Sequence, residues 1–247
     1  MSLFFPSLSK KWMFHVKHEP TLPADPDTWI EPSRLPLLDA YASALGDWNR
    51  RVNLVARGSV TELRWRHIPH CLSLAARRFP DGAVVVDWGT GGGLPAIPLA
   101  IAFPGIQVVA VDGTAKKTAA LKAMVRNLGL ENVEVWNGRA EVWDGQAHYF
   151  VSRAAAPLRK LWQWSKRAGA GSATMPDSEL SEAGGSPATD ARTIWEPGLI
   201  CLKGGDLAKE IRQVKRVDVE QWPLDTILRG DGYEDKYIVH VKPRLEP

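Results

Sequence analysis

From Leu35 onward, apolar residues recur at helical spacing: Leu35, Leu38, Ala42, Leu45 and Trp48 fall on one face. The pattern predicts a helix over 33–49, with Ser33 as its cap and Pro36 in its first turn, where a missing N–H costs little. A second helical stretch is expected over 60–79, with Thr61 as cap and a kink at Pro69. At Ala83 the period changes to strand, loop, helix, strand, helix. Short strands are expected over 84–86, 107–111, 133–136, 149–152 and 199–203. Between them lie a helix over 94–103, carrying Pro95 and Pro98 near its start, and an amphipathic helix over 114–128. Leu121, Val125 and Leu128 share a face of the latter, and Gly129 closes it. Two alternating stretches, 216–221 and 237–242, with Asp231-Gly232 between them, read as an antiparallel pair at a sheet edge.

This alternation predicts an α/β domain: a mostly parallel seven-stranded sheet with helices on both faces and a helical N-terminal extension. Ligands then bind outside the carboxyl ends of the strands, where the strand order reverses. The expected organisation is an irregular arm over 1–32, helices over 33–80, and a core over 81–247. Residues 168–192 are poor in large apolar side chains and rich in Gly, Ala, Ser and Pro, and read as a flexible insertion within that core.

The chain has 247 residues and a formal net charge of +3, which permits a nucleic-acid partner without requiring one. Two cysteines, Cys71 and Cys201, are too few for a disulfide framework and fit a reducing cytoplasm. No apolar run approaches the roughly 20 residues of a membrane span. The first 20 residues place an apolar patch before a basic cluster, the reverse of a secretory signal. They read as an RNA-touching arm or as a frayed end. Of the 11 tryptophans, Trp88, Trp136 and Trp143 adjoin expected strands and are assigned to packing. No metal site and no obligate protein partner is indicated.

The candidate chemistry starts at "VVVDWGTGGGLP", residues 84–95. The dinucleotide fingerprint requires a third glycine where this chain has Leu94. The phosphate-binding loop requires a lysine and a hydroxyl that are missing. Asp87 would also repel a diphosphate at this loop. A carboxylate suits a cationic ligand, and S-adenosylmethionine (SAM) carries an ammonium and a sulfonium. Glycines allow close backbone approach, Asp87 can attract the ammonium directly or through water, and Asp112 can accept from ribose hydroxyls. Arg139, Ala140 and Glu141, after the third strand, fall near the adenine. An acid, a glycine loop and a second acid at the next strand end point to this cofactor. The alternative is a tight turn flanked by surface acids.

The methyl acceptor is narrowed by what is missing. Ser152-Arg153-Ala154-Ala155 replaces the Asn/Asp-Pro-Pro-aromatic turn of adenine amino-methylating enzymes. Cys201, flanked by Leu199, Ile200 and Leu202, reads as a buried thiol rather than a nucleophile. Guanine N7 fits this inventory, because it has a free lone pair and no proton to lose. Alignment and donors that fix the base then suffice, and Arg153 is the candidate catalytic residue, gripping guanine O6. Open alternatives are another RNA, protein or small-molecule acceptor, or a ribosome assembly factor without turnover.

Five stretches, "VVVDWGTGGGLPAIPLAIAFP", "VVAVDGTAKKTAALKAMVRNLGLENVEV", "GRAE", "VSRAAA" and "CLKGG", resemble the small-subunit ribosomal RNA guanine-N7 methyltransferase family, RsmG or glucose-inhibited division protein B. The likeness also takes in Asn53-Leu54 and Arg66-His67-Ile68. It implies a Rossmann-like class I SAM-dependent methyltransferase that modifies guanine 527 in the 530 loop of 16S RNA, on the small subunit or its precursor. It implies cofactor contacts from Asp87, Gly89, Thr90, Gly91, Gly93, Leu94, Asp112, Gly113, Arg139, Ala140, Glu141 and Arg153. Arg66, His67, Lys116, Lys117, Arg139 and Lys203 would meet RNA, with Arg153 on the same basic rim. Trp88, Lys117, Pro69 and Lys236-Tyr237 depart from the family pattern.

Overall fold

The computed structural model describes residues 25–55, 59–153, 155–170 and 192–244. The N-terminal arm before Asp25 and most of the expected 168–192 insertion lie outside these residues. Seven strands form one sheet in the order β3-β2-β1-β4-β5-β7-β6. They are β1 (Val84–Trp88), β2 (Gln107–Asp112), β3 (Val133–Asn137), β4 (Tyr149–Arg153), β5 (Gly198–Gly204), β6 (Val217–Pro223) and β7 (Lys236–Pro243). Strands β1 to β5 pair in parallel, while β7 runs antiparallel between β5 and β6. The expected antiparallel pair is thus present. The chain crosses from β3 back to β4 beside β1, which puts the switch point between β1 and β4.

Helices cover both faces. On one side lie α1 (Leu35–Asn49), α3 (Ile68–Leu72), α4 (Ala96–Ala102) and α5 (Ala115–Asn127); on the other lie α6 (Leu158–Arg167) and α7 (Ala208–Arg212). Apolar residues buried on both faces explain the near-continuous Val/Ile/Leu runs of β1, β2 and β5. Helix α1 buries Leu38, Tyr41, Ala42 and Leu45, the predicted stripe.

Several local expectations are corrected. Ser33 does not cap α1; it sits in a 3-10 turn (Pro32–Arg34), and its hydroxyl donates to Glu31 at 2.6 Å. The second stretch is capped by Ser59, not Thr61. The Ser59 hydroxyl accepts from Glu62 N–H, and the Glu62 carboxylate accepts from Ser59 N–H, a reciprocal box. The chain then runs through α2 (Val60–Glu62) into a π-helical turn (Leu63–His67) before α3. Pro69 lies in the first turn of α3, so the wide turn upstream absorbs the break expected at the proline. The sequence pattern gave no expectation for α6 or α7.

Candidate active site

The cavity of about 430 Å³ opens at the carboxyl ends of β1, β2 and β3. Its wall is built from Gly89, from Val111 to Thr114, from Gly138 to Glu141, from Ala155 to Pro157, and from Lys160 and Trp164 of α6. Of the twelve residues expected to hold the cofactor, Gly89, Asp112, Gly113, Arg139, Ala140 and Glu141 share this wall. The remaining six are not part of this wall.

Gly89 has φ +73°, and a Cβ built there would collide with the Cβ of Ala155. A glycine is therefore required both by the backbone conformation and by the packing of the β4–α6 loop. The N–H groups of Gly89 and Thr90 donate to Val111 O at 2.9 and 3.0 Å, tying the loop to β2. Asp112 staples the neighbouring segments. Its Oδ2 accepts from Gly91 N–H at 3.1 Å and its Oδ1 from Thr114 N–H at 2.8 Å. An ionised carboxylate offers about four acceptor positions, so this one retains capacity toward the cavity it lines.

Asp87, Thr90, Gly91, Gly93, Leu94 and Arg153 are placed elsewhere. Asp87 is fully buried behind the glycine turn; its Oδ2 accepts from Ala96 N–H at 3.2 Å. Its Oδ1 and the Thr90 hydroxyl are buried without a hydrogen-bond partner. Burial pushes the Asp87 carboxyl up to about 7, against the opposing effects of Thr90, the Ala96 N–H and Arg153. Gly91 abuts the carbonyl of Leu54, Gly93 packs against Ile97 and Leu121, and Leu94 is core. These small residues let α1 and α5 approach the loop from behind, and Tyr41 of α1 donates to Gly92 O at 2.9 Å.

Arg153, at the end of β4, turns its guanidinium toward Cys71 of α3, with Nη1 to Sγ at 3.8 Å. It stands among the cations expected to meet RNA rather than on the cavity wall. Arg66 packs over Gly232, and Lys236 Nζ donates to Gly232 O. Burial first, then the charges of Arg153 and Arg66, hold His67 below its usual pKa. His70, one turn on, is pushed down to about 3 by burial and the same cations, and its Nε2 is buried without a partner. Lys116 is exposed at the start of α5, beside the half-buried Lys117.

Lys203 is a correction. The exposed position expected of an RNA contact is not what the structure gives it. Its side chain is only 8 % exposed, and Nζ donates to Ala156 O at 2.8 Å and to Glu210 Oε2 at 2.9 Å. The same Glu210 oxygen accepts from Leu158 N–H, at the start of α6, at 2.8 Å. The pair fastens the loop that walls the cavity.

Sequence reasoning missed Lys160, Trp164 and Glu210. The signal that could have found helix α6 is Leu158, Leu161, Trp162 and Ser165 at helical spacing behind Pro157, all four buried. Glu210 gave no signal, because its partners are remote in sequence. Trp88 is fully buried, stacks on Phe150 at 5.7 Å, and donates from Nε1 to Ser165 Oγ at 3.0 Å. It supports α6 from below, edge-on to Trp164 at 6.1 Å. The packing role assigned to it therefore holds. Burial pushes the Cys71 thiol up to about 11 and that of Cys201 up to about 12, so both are inert at neutral pH. Among the described residues, no group of three or more His, Cys, Asp or Glu could hold a metal ion, and no helix is long and apolar enough to cross a membrane.

Comparison with known proteins agrees with this geometry. Crystal structures of MtNAS in complex with MTA and tNA, and of an MtNAS mutant in complex with S-adenosylmethionine, share the fold. Each has a TM-score of 0.51 at 16% identity and covers 85% of this chain, and 70% and 76% of its own. The ribosomal RNA small subunit methyltransferase G of Salinibacter ruber is 46% identical over 83% of this chain and 91% of its own length. That of Chlorobium luteolum is 36% identical over 85% and 82%. Residues 34–175 match the GidB family, rRNA small subunit methyltransferase G, and with these relatives the match establishes that the chain belongs to that family.

Proposed function

We propose that this protein transfers a methyl group from S-adenosylmethionine to N7 of a guanine in 16S ribosomal RNA, guanine 527 of the 530 loop. Family membership carries the SAM-dependent methylation of small-subunit rRNA. The observation supporting the cofactor assignment is the cavity itself. Three successive strand ends supply a glycine without room for a Cβ, a carboxylate with spare acceptor capacity, and Arg139 to Glu141. Its volume falls in the usual range for small-ligand sites, roughly 300–1,000 Å³.

Gly89, Asp112, Gly113 and Ala140 would hold the nucleoside, with Asp112 accepting from the ribose. Trp164 and Pro157 would exclude water from the opposite side. When bound, S-adenosylmethionine supplies a methyl carbon on a positively charged sulfur. Guanine N7 needs no base to take it, so the protein's task is to align the purine and keep the cavity dry. Arg153 belongs to the acceptor side in this reading, because its guanidinium joins Arg66, His67 and Lys236 rather than the cavity wall. An arginine suits the guanine O6 edge.

Mapping N7-methylguanosine in ribosomal RNA from cells with and without the gene tests the assignment. Loss of the modification at one guanine, restored by the wild-type gene, is expected. An unchanged modification pattern would overturn it.

A further inference from the structure

Trp65 is 62 % exposed, whereas every other described tryptophan is buried or half-buried. It sits in the π-helical turn Leu63–His67, within the run Arg64-Trp65-Arg66-His67. The Arg64 guanidinium lies 4.3 Å from the ring centroid. Arg64 itself is buried, and it is pinned by Asp27 and Asp39, each at 2.6 Å. One side of the ring thus rests on a fixed cation, and the rest faces water. The next residue, Arg66, is exposed and joins Arg153 and Lys236, with His67 between them held toward its neutral form. Glu62 acts on His67 and Glu234 on Lys236 as opposing charges. Three guanidinium and ammonium groups gathered at one edge fit a polyanion, and an exposed indole beside them offers it a π-face.

We propose that Trp65 is a base-stacking residue for the RNA substrate. An unpaired nucleobase near the target guanine lies on the exposed indole while Arg66 contacts the adjoining phosphate. This proposal rests on the rRNA methyltransferase reading and names a contact within it. Stacking on an aromatic is tolerant of base identity, so Trp65 adds affinity and orientation, and Arg153 is left to recognise the guanine.

The test compares wild type, W65A, W65F and R66A on two probes, a 16S rRNA transcript and methyl-free small subunits. Methyl transfer and RNA affinity are measured at several salt concentrations, with SAM affinity by calorimetry. For W65A, a loss of RNA affinity of about 5- to 150-fold is expected, the range of one base–aromatic stack. SAM affinity and melting temperature should stay at wild-type values, and W65F should recover most of the RNA affinity. The slope of log affinity against log salt should be unchanged in W65A and shallower by about one in R66A. Wild-type behaviour of W65A on both probes would overturn the proposal. So would a joint fall in melting temperature and SAM affinity, which marks a packing role. A loss confined to assembled subunits, with full binding to the transcript, would place the ring on a ribosomal protein and overturn it equally. If wild type itself modifies neither probe, the functional reading fails first, and that outcome is distinct from the others.

Discussion

Replacing Glu210 with alanine removes one carboxylate from three elements at once. Its Oε2 accepts from Lys203 Nζ at 2.9 Å and from the Leu158 N–H at 2.8 Å. Lys203, 8 % exposed, would keep only the carbonyl of Ala156. The start of α6 would lose an acceptor placed where the helix dipole favours negative charge. Hydrogen bonds to charged groups contribute about 1.5–3 kcal/mol each. Glu210 is 34 % exposed, so water replaces part of the loss, and a total near 2–3 kcal/mol follows. For a chain of this size that corresponds to a fall in melting temperature of about 5–10 °C. The same change unfastens the start of α6, next to Ala155 to Pro157, and leaves the Lys203 bond to Ala156 O without its anchor, so SAM affinity should weaken several-fold. Burial pushes the Glu210 carboxyl up, but Lys203 and the Leu158 N–H outweigh it and hold the group below its usual range. A depressed carboxylate adds stability that is present above its unfolded pKa and lost as pH falls through the folded value. The gap between wild type and E210A should therefore close in acid. Thermal melts followed by circular dichroism, with calorimetric SAM titration at neutral pH, measure both effects. A double variant, K203M/E210M, should recover much of the stability, because an apolar pair leaves no buried charge behind. If E210A melts within about 2 °C of wild type and binds SAM equally well, the clamp does not operate.

Gly89→Ala should lose most SAM affinity in calorimetry. It also costs about 1–2 kcal/mol of strain at φ +73°, besides the collision with Ala155, and a normal melt with normal SAM binding would show that the loop can yield. Arg153→Ala should slow single-turnover methyl transfer while leaving SAM affinity near wild type; an equal loss of both would return Arg153 to the cofactor side. Asp87 is one of the pH-sensitive groups, with His70 and His240, which are held down to about 3 and about 4. Its carboxyl, pushed up to about 7 from 3.8, contributes stability that is fully present below the unfolded value and lost as pH rises through the folded one. In urea unfolding, the stability difference between wild type and D87N should shift against wild type from pH 5 to pH 8, the contributions of His70 and His240 cancelling in the comparison. Parallel profiles would remove Asp87 as the source.

The parallel β-α alternation was legible because buried strands write themselves as short Val/Ile/Leu runs, and the runs of β1, β2 and β5 are buried on both faces. Caps were harder. Ser33 and Thr61 have the right chemistry, yet the reciprocal partner that decides a capping box, Glu62, lies three residues after Ser59. At the site, residues that follow a strand end directly were readable: Gly89, Asp112, Gly113 and Ala140 reach the cavity wall because the sheet edge brings them there.

The remaining residues depend on which way a side chain turns once the two sides of the sheet are packed. Gly91, Gly93 and Leu94 share a motif with Gly89, yet they serve the helices behind the loop, where Tyr41 and Leu121 come close. Lys203 carries the charge expected of an RNA contact, but β5 points it beneath the β4–α6 loop, and Glu210, seven residues on, takes it up. A conspicuous loop thus divides its labour: one glycine and one strand-end acid face the cavity, and the others maintain the wall behind it. The cations divide likewise, Lys203 fastening that wall and Arg66, Arg153 and Lys236 gathering around His67 where the N-terminal helices meet the last strand. It follows that substitutions behind the loop should change SAM affinity and stability together, whereas substitutions among the gathered cations should change RNA binding or methyl transfer and leave SAM affinity near wild type.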